Sequence, residues 1–561
     1  MGFVKSRKML PRARFWPAAL TLVAMAFSMS GCTGPIEYLR NGFKVGPNYH
    51  GADAPKEEHW IDANDARIRQ EPADLQQWWG VFQDPQLNRL IDCAIHQNLS
   101  LREAGFRILE ARAQLGIARG EFFPQVQTGT ANYQKSVNSG ANPQTYAVSS
   151  TFNGAFTIPG VVTNQPGSFA GQGSLLAVPP ITSEGVGTGL NLAWEVDFWG
   201  RFRRAVVAAE DTLQANCADY NGAMVTLLGD VAKYYVQLRT DQKRIELAQQ
   251  NVVLQRRVME VARRRFLEGQ TNDLDFNQAR STLAQTEAQI PLLLADLRAA
   301  ENRLCVLMGM PPALLEPQLG IAPIPVAPTT VAVGIPADLL RRRPDVCRAE
   351  RLAAAQAEQI GIAEADLYPA FKLNGDMGYT AAGLSQLFET NAFNAAIGPG
   401  IQWNLLNYGR IRNNIRFQDA KFHELVTLYQ RMALQAAEET EDGLSHFVQE
   451  QDRSKWLDES VSSLQLAVNT VIKQYEAGGI DFTRVVQIEQ TLVQQQDAQA
   501  ASHGQVAQGL IEVYRALGGG WQVPVSADQP AQAVRLPTVP PPEEVLVPAP
   551  DAPVPMPVPQ K

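Results

Sequence analysis

The sequence repeats itself, and this repeat limits the possible folds more than any other feature does. LGIARGEFFP, which ends at Pro124, returns as IGIAEADLYP, which ends at Pro369, at a spacing of 245 residues. WEVDFWGR returns as WNLLNYGR at a spacing of 209, and that spacing holds without a gap as far as Gly518. The chain is therefore predicted to contain two copies of one structural unit. The first copy carries 36 extra residues between Pro124 and Trp194.

The first 31 residues have the features of a bacterial lipoprotein signal peptide. A basic start and an apolar stretch lead to the small pair Ser30-Gly31, which precedes Cys32. The apolar stretch is shorter than the ~20 residues of a spanning helix, which argues against a single membrane anchor. We expect a covalent N-terminal lipid on Cys32, and Thr33 after it is typical of sorting to the outer membrane. Because Met29 stands where such motifs usually carry Leu, a plain secretory signal is the alternative.

Alternation of apolar and polar residues predicts two strands of roughly ten residues in each copy. The pattern covers residues 190–198 around Trp194 in the first copy, and residues 371–379 and 401–405 around Trp403 in the second. A soluble hairpin with one face on a core would show the same alternation. However, no residues are left over to cover the apolar faces. The pattern therefore favours strands of a membrane β-barrel, with lipid outside and water inside.

Long helical patterns follow each pair of strands. From Gly200 to about Leu267 apolar residues recur every seven positions, which predicts a coiled-coil helix of ~100 Å, and residues 410–477 repeat it. Gly269 and Gly478 then reverse the chain into shorter helices, predicted over 272–308 and 482–517. A further helix is expected over 84–121. Helices of ~100 Å exceed any bilayer, so we expect them to project into the periplasm as a tube.

Four strands cannot close a barrel, and an open sheet edge in lipid would leave backbone groups unsatisfied. The chain must therefore assemble with copies of itself. Eight strands from a dimer would fill their own interior with side chains, whereas twelve from a trimer would enclose a wider lumen. The geometry favours a trimer without proving it.

Composition and motifs argue against several functions. Charged residues make up only 19% of the chain and the net charge is −8, so nucleic acid is not an expected partner. The six histidines are scattered, and the sequence has no HExxH, Walker or GxSxG motif. We therefore expect no enzyme activity, no catalytic residue, no metal site and no cofactor beyond the lipid. A structural or adhesive lipoprotein is the alternative from another class.

Several segments together resemble the TolC-like outer-membrane factor family, in its lipoprotein (NodT-type) branch. They are VGPNY at 45–49, WWGVFQDPQL at 78–87, EARAQLGIARGEFFP, LLRRRPDVCRAE at 339–350 and the two WxxxxxGR turns. The resemblance implies a mixed α and β membrane protein with an internal two-fold repeat. It also implies a homotrimer whose 12-stranded β-barrel, with four strands per chain, continues as a periplasmic α-helical coiled-coil barrel.

The expected organisation follows from the repeat and the resemblance together. Its parts are a signal peptide (1–31), a lipid anchor and arm (32–83), a first repeat (84–309, with a β-hairpin at 125–198), a bridge (310–338), a second repeat (339–520, with a β-hairpin at 370–406) and a proline-rich tail (521–561). The tail is too rich in proline to pack a core.

The resemblance implies the exit duct of a tripartite efflux pump, anchored in the outer membrane of a bacterium. Such a duct docks a periplasmic adaptor and an inner-membrane transporter, and its action on drugs confers antibiotic resistance. The alternative within transport is the exit duct of a type I peptide or protein secretion system.

The resemblance also implies a site at the two helical reversals. Asp275 matches the family's gating aspartate and Tyr475 its gating tyrosine, while Asp481 and Arg484 are further candidate gate ions. The positions of the family's partner arginine and acidic constriction ring differ here, since they hold Ile480, Arg484 and Gln487. The expected adaptor-docking tips are Gly269, Leu274, Gly478 and Phe482. The alternative for these residues is a solvated coiled-coil face.

Overall fold

A computed structural model describes residues 35–55, 59–71, 74–138, 181–336 and 342–522. The expected signal peptide, Cys32, loop residues 139–180 and all but the first two residues of the proline-rich tail lie outside them. The chain forms two compact units. One contains Ala104–Asp219 and Asp345–Ala433 with the N-terminal arm to Pro55, and the other contains Lys56–Glu103, Tyr220–Pro344 and the chain from Leu434 onwards.

The first unit contains a four-stranded antiparallel sheet, whose strands follow the order β2 (Val126–Asn138), β3 (Ile181–Val196), β5 (Ala370–Ala381) and β6 (Phe393–Gln402). Apolar residues of neighbouring strands lie opposite each other, as Trp194 does to Leu373. A parallel pair of short strands, β1 (Ile68–Arg69) and β4 (Val331–Ala332), belongs to the other unit.

Two strands end earlier than the alternation predicted. β3 ends at Val196, because the Asp197 carboxylate instead accepts the backbone N–H groups at the start of the following helix. β6 ends at Gln402, so Trp403 lies beyond the strand, and its indole donates to the carbonyl of Leu367 at 2.9 Å. In each copy of the repeat the chain therefore leaves the sheet just before its long helix begins.

The two halves of the chain contain helices of the same lengths in the same order, with 22, 67 and 35 residues in each half. The helices of 67 and 35 residues agree with the predicted bounds to within about a residue. The described residues form seven helices longer than two turns, namely α1 (Pro85–Gln97), α2 (Leu99–Gly120), α3 (Arg201–Leu267), α4 (Asp273–Leu307), α5 (Pro344–Ala365), α6 (Arg410–Glu476) and α7 (Phe482–Ala516).

The single helix predicted over 84–121 is in fact two helices, α1 and α2, separated at Asn98. Asn98 has an extended backbone, with φ −63° and ψ 126°. Its side chain accepts the N–H of Leu101 at 2.8 Å and donates to the carbonyl of Leu307 at 2.8 Å. Because both bonds satisfy groups left free at helix ends, the break is well capped.

The apolar core of the second unit is formed mainly by side chains of α1, α3, α4, α6 and α7. The heptad residues of α3 that were predicted to form a seam are buried from Val231 to Val252. Trp78 is fully buried and stacks on Tyr514 of α7, with ring centroids 5.4 Å apart. No described helix is long and apolar enough to cross a membrane.

Candidate functional site at the helical reversals

The two helical reversals have the same backbone geometry. Gly269 has φ +69° and Gly478 has φ +79°. These values favour glycine, because a residue with a Cβ would clash with its own backbone there. At both turns the glycine N–H and the next N–H bond back to carbonyls in the last turn of the preceding helix. Both reversals lie in the second unit.

A chain of polar contacts joins the two reversals through Asp275. The Tyr475 hydroxyl donates to Asp275 Oδ2 at 3.1 Å, and the Thr271 hydroxyl donates to the same oxygen at 2.5 Å. The family resemblance implied that Asp275 and Tyr475 both belong to a gate. In the structure the two residues meet within a single chain.

Tyr475 is buried, with 3% of its surface exposed. Burial, together with the charge and hydrogen bond of Asp275, raises the pKa of Tyr475 to about 12, although Arg265 opposes this shift. The phenol therefore keeps its proton at physiological pH and remains a hydrogen-bond donor to Asp275.

Arg265 completes this polar contact and was missed by the sequence analysis. Its guanidinium lies 4.5 Å from the centre of the Tyr475 ring and donates to the Tyr475 carbonyl. The residue ends a run of three arginines in the last turn of α3, four positions before Gly269. That run was the available signal, but surface arginines at a helix C-terminus are also explained by the helix dipole.

An apolar cluster supports the polar contacts from behind. Phe482, expected at the docking surface, is 2% exposed and packs against the Tyr475 ring, with centroids 5.1 Å apart. It is a core residue in this conformation, whereas Leu274 and both turn glycines are exposed. The cluster consists of Val258, Val261, Ala262, Ala279, Val471, Tyr475, Phe482 and Val485.

Asp481 and Arg484 lie in a different environment. They line an open groove of about 700 Å³ between α6 and α7, whose walls include Leu466, Val471 and Ile480. Asp481 precedes α7, but its side chain does not cap the helix. Within the described part of the chain the structure gives neither side chain an ion pair.

Glu489 is a buried carboxyl two turns into α7. It is 3% exposed, and its Oε1 has no hydrogen-bond partner among the described residues. Burial raises the pKa of Glu489 to about 7. Gln255 of α3 is equally buried, and both polar atoms of its amide also lack a described partner.

The described residues contain no group of three His, Cys, Asp or Glu side chains that could hold a metal ion. The arrangement at the reversals consists instead of hydrogen bonds and a cation–π contact. Such contacts can hold two helix ends together, and they can separate without any covalent bond being broken.

Comparison with known proteins identifies the family. The profile of the family described as outer membrane efflux protein matches residues 90–310 and 335–519, which is more than half of the chain. The chain belongs to this family. The resemblance found in the sequence is thereby confirmed, and family members are channel proteins rather than enzymes.

Characterised relatives and solved channels agree with this family membership. The pyoverdine export outer membrane protein OpmQ of Pseudomonas putida is 29% identical over 82% of this chain and 90% of its own length. Nodulation protein T of Rhizobium leguminosarum bv. trifolii is 26% identical over 86% and 96%. The solved outer-membrane channel OprN is 28% identical, with a TM-score of 0.74 over 85% of this chain and 99% of that one.

Proposed function

We propose that the chain forms a homotrimeric exit duct of a tripartite efflux pump, passing drugs or other small toxic compounds from the periplasm to the exterior. Family membership supports the efflux role. The open sheet β2-β3-β5-β6 supports assembly, because β2 and β6 each leave one edge unpaired in the described chain. Three copies would supply the twelve strands of a closed barrel with a lumen.

The proposed organisation is a two-fold repeat built into this trimer. Helices of 22, 67 and 35 residues occur in the same order in both halves, which supports repeats over 84–309 and 339–520. The long helices would form the periplasmic α-barrel. Their reversals would meet the periplasmic adaptor, which links the duct to an inner-membrane transporter.

Cys32 would carry a lipid that adds a second membrane attachment to the barrel. Mass spectrometry of the mature N-terminus tests this, and an unmodified terminus at another residue would contradict it. Because the barrel would hold the trimer in the outer membrane by itself, Cys32→Ala should stay membrane-associated.

The contact between Tyr475 and Asp275 is the observation that carries the gating proposal. It joins two helix ends by one hydrogen bond at 3.1 Å, and a partly exposed hydrogen bond is worth about 1 kcal/mol. Adaptor docking could therefore break it, whereas a large apolar plug would resist more strongly. In the trimer, three such contacts would hold the periplasmic end of the duct closed at rest.

The double variant Asp275→Ala with Tyr475→Phe tests the gate. We expect it to raise the resting conductance in planar bilayers and to admit large antibiotics such as vancomycin into cells. Asp273→Ala is the matched control, since Asp273 is an exposed acid in the same first turn of α4. A double variant that forms trimers but conducts like the parent would exclude this gate, and Asp481 and Arg484 would be tested next.

The cargo is proposed to be a small molecule. Relatives named for pyoverdine export and for cation efflux support this over a type I secretion role. Co-expression with a candidate adaptor and transporter of the same bacterium, followed by drug and metal susceptibility assays, tests it. Secretion of a peptide without any change in susceptibility would favour the alternative.

A further inference from the structure

The outer edges of the sheet, on β2 and β6, have no partner strand among the described residues. Within the chain, β3 of the first copy pairs with β5 of the second, so this pairing already joins one copy of the repeat to the next. In a ring of identical chains, the equivalent junction is β6 of one chain against β2 of its neighbour. The structure therefore contains a template for the contact between chains.

The hairpin registers relate the strands of the two copies residue by residue. Gly189 of β3 corresponds to Gly398 of β6 at the spacing of 209. Gly189 pairs with Thr130, and Gly398 pairs with Asn374. Thr130 and Asn374 are therefore equivalent, at a spacing of 244 rather than the 245 that relates the preceding helices. The second copy is one residue shorter between helix and strand.

With these equivalences, the observed pairing of β3 with β5 predicts how β6 of one chain pairs with β2 of the next. Asn191 of β3 pairs with Asp376 of β5. Asn191 corresponds to Gly400, and Asp376 corresponds to Asn132. We propose that β6 of one chain pairs antiparallel with β2 of the next in a single register, with Gly400 opposite Asn132 and Ile401 opposite Ala131. The proposal rests on the proposed homotrimer and specifies its closing contact.

The two faces of the sheet provide an independent check of this register. Ile401 pairs with Phe371, which pairs with Val196, so Ile401 lies on the same face as Leu190 and Leu192 of β3. Ala131 lies on that face as well, because it pairs with Thr188. A slip by one residue would set Ile401 opposite a residue of the other face. Only the proposed register, or one shifted by an even number of residues, keeps the faces continuous.

The helices below the sheet have the same order and the same open ends. Within the first unit, α2 contacts α3, α3 contacts α5 and α5 contacts α6. Gly361 of α5 is packed against Arg204 of α3, whereas its equivalent, Gly116 of α2, has open space around it. Phe417 of α6 is 61% exposed, whereas its equivalent, Ala208 of α3, is buried. A neighbouring chain that places α6 against α2 would cover both open positions.

Paired cysteines in the full-length protein test the register. Gly400→Cys with Asn132→Cys places two thiols opposite each other on the polar face, and a Cβ at Gly400 meets only ordinary contacts, at 3.5 Å or more. After oxidation we expect covalent dimers and trimers on a denaturing gel, which a reductant removes. The slipped pair Gly400→Cys with Ala131→Cys should give little more than the single variants, whose native cysteines provide the background.

Two further measurements make each outcome decisive. Asn191→Cys with Asp376→Cys is the equivalent pair inside one chain, and it should cross-link without forming oligomers. Native mass spectrometry of the parent reports trimer formation separately. Trimers whose cross-links follow the slipped pair, or neither pair, would overturn the register and leave the duct proposal intact, whereas a monomeric parent would overturn the duct itself. If the first pair fails to assemble, Gln402→Cys with Thr130→Cys tests the same register.

Discussion

The turn that joins α3 to α4 and the turn that joins α6 to α7 have the same backbone but different side chains. Both turn at a glycine of positive φ, and both lie at the same position in the repeat. Their chemistry has diverged at several equivalent positions. Arg265, Thr271 and Asp275 in the first turn correspond to Gln474, Ile480 and Arg484 in the second.

The difference shows how a duplicated fold can acquire two roles. The first turn supplies the cation and the carboxylate that contact Tyr475, and the Thr271 hydroxyl that donates to the same carboxylate. The second turn supplies Tyr475 itself and an open groove with an apolar wall. The backbone requirement for glycine is shared, because a reversal between antiparallel helices needs it, whereas the backbone places no such requirement on the other side chains of the turn. Four substitutions test this comparison.

The largest effect is expected from Tyr475→Ala. Removing this buried aromatic ring from the apolar cluster around Phe482 should lower the free energy of unfolding there by about 3–5 kcal/mol. The amides of α7 near Phe482 should therefore lose most of their hydrogen-exchange protection. The equivalent residue in the first copy, Phe266, is 40% exposed. Phe266→Ala should therefore change protection little. Equal effects of the two variants would show that the two turns are alike in packing.

A smaller, pH-dependent effect is expected at Glu489. Its folded pKa of about 7 lies above the ordinary value of 4.5. Below pH 4.5 the carboxyl is neutral whether α7 is packed or unfolded, so burial carries no ionic penalty. Between pH 4.5 and 7 only the unfolded form ionises, and the packed state loses stability. Above pH 7 the loss reaches its full value, about 3 kcal/mol.

Glu489→Gln should therefore remove this pH dependence and give α7 a flat protection profile between pH 5 and 9, after correction for intrinsic exchange rates. The equivalent residue in the first copy is Arg280, which is exposed. Arg280→Gln should leave the parent profile unchanged. A parent profile that is already flat would mean that Glu489 has solvent or a partner in the assembled protein.

The sequence was sufficient to predict the regular parts of this fold. The period of seven and the glycines at 269 and 478 gave both long helices and their reversals, because local periodicity and a positive φ are properties of short segments. Alternation gave the strands but misplaced their ends. Asp197 and Trp403 continue the alternating pattern, yet their side chains bond to the start of a helix and to a distant carbonyl.

The parts that the sequence did not predict depend on contacts between distant residues. Asn98 interrupts a helical pattern because its amide reaches Leu307, which is 209 residues away. Arg265 and Glu489 lie in patterns typical of a solvated helix, and only packing shows that one lies over Tyr475 and the other is buried. Resemblance to the family suggested Asp275 and Tyr475, but it could not show that they meet within one chain.

An intermediate effect is expected from Arg265→Gln, which gives the first turn the residue that the second turn has at Gln474. The change removes the cation–π contact and the bond to the Tyr475 carbonyl, together about 1–2 kcal/mol. We expect faster exchange of the tip amides and a higher resting conductance in planar bilayers. Arg264→Gln, one position earlier on the exposed surface, is the control. An unchanged conductance for Arg265→Gln in folded trimers would limit Arg265 to a packing role.

The smallest effect is expected at the starts of α4 and α7, where the two turns differ in capping. Asn272 accepts the N–H of Leu274 at 3.0 Å, whereas its equivalent, Asp481, makes no such bond. Asn272→Ala should therefore cost about 1 kcal/mol and speed exchange in the first turn of α4. Asp481→Ala should change exchange in α7 much less. The reverse order would mean that Asp481 caps its helix in solution, and that the second turn resembles the first more closely than these contacts indicate.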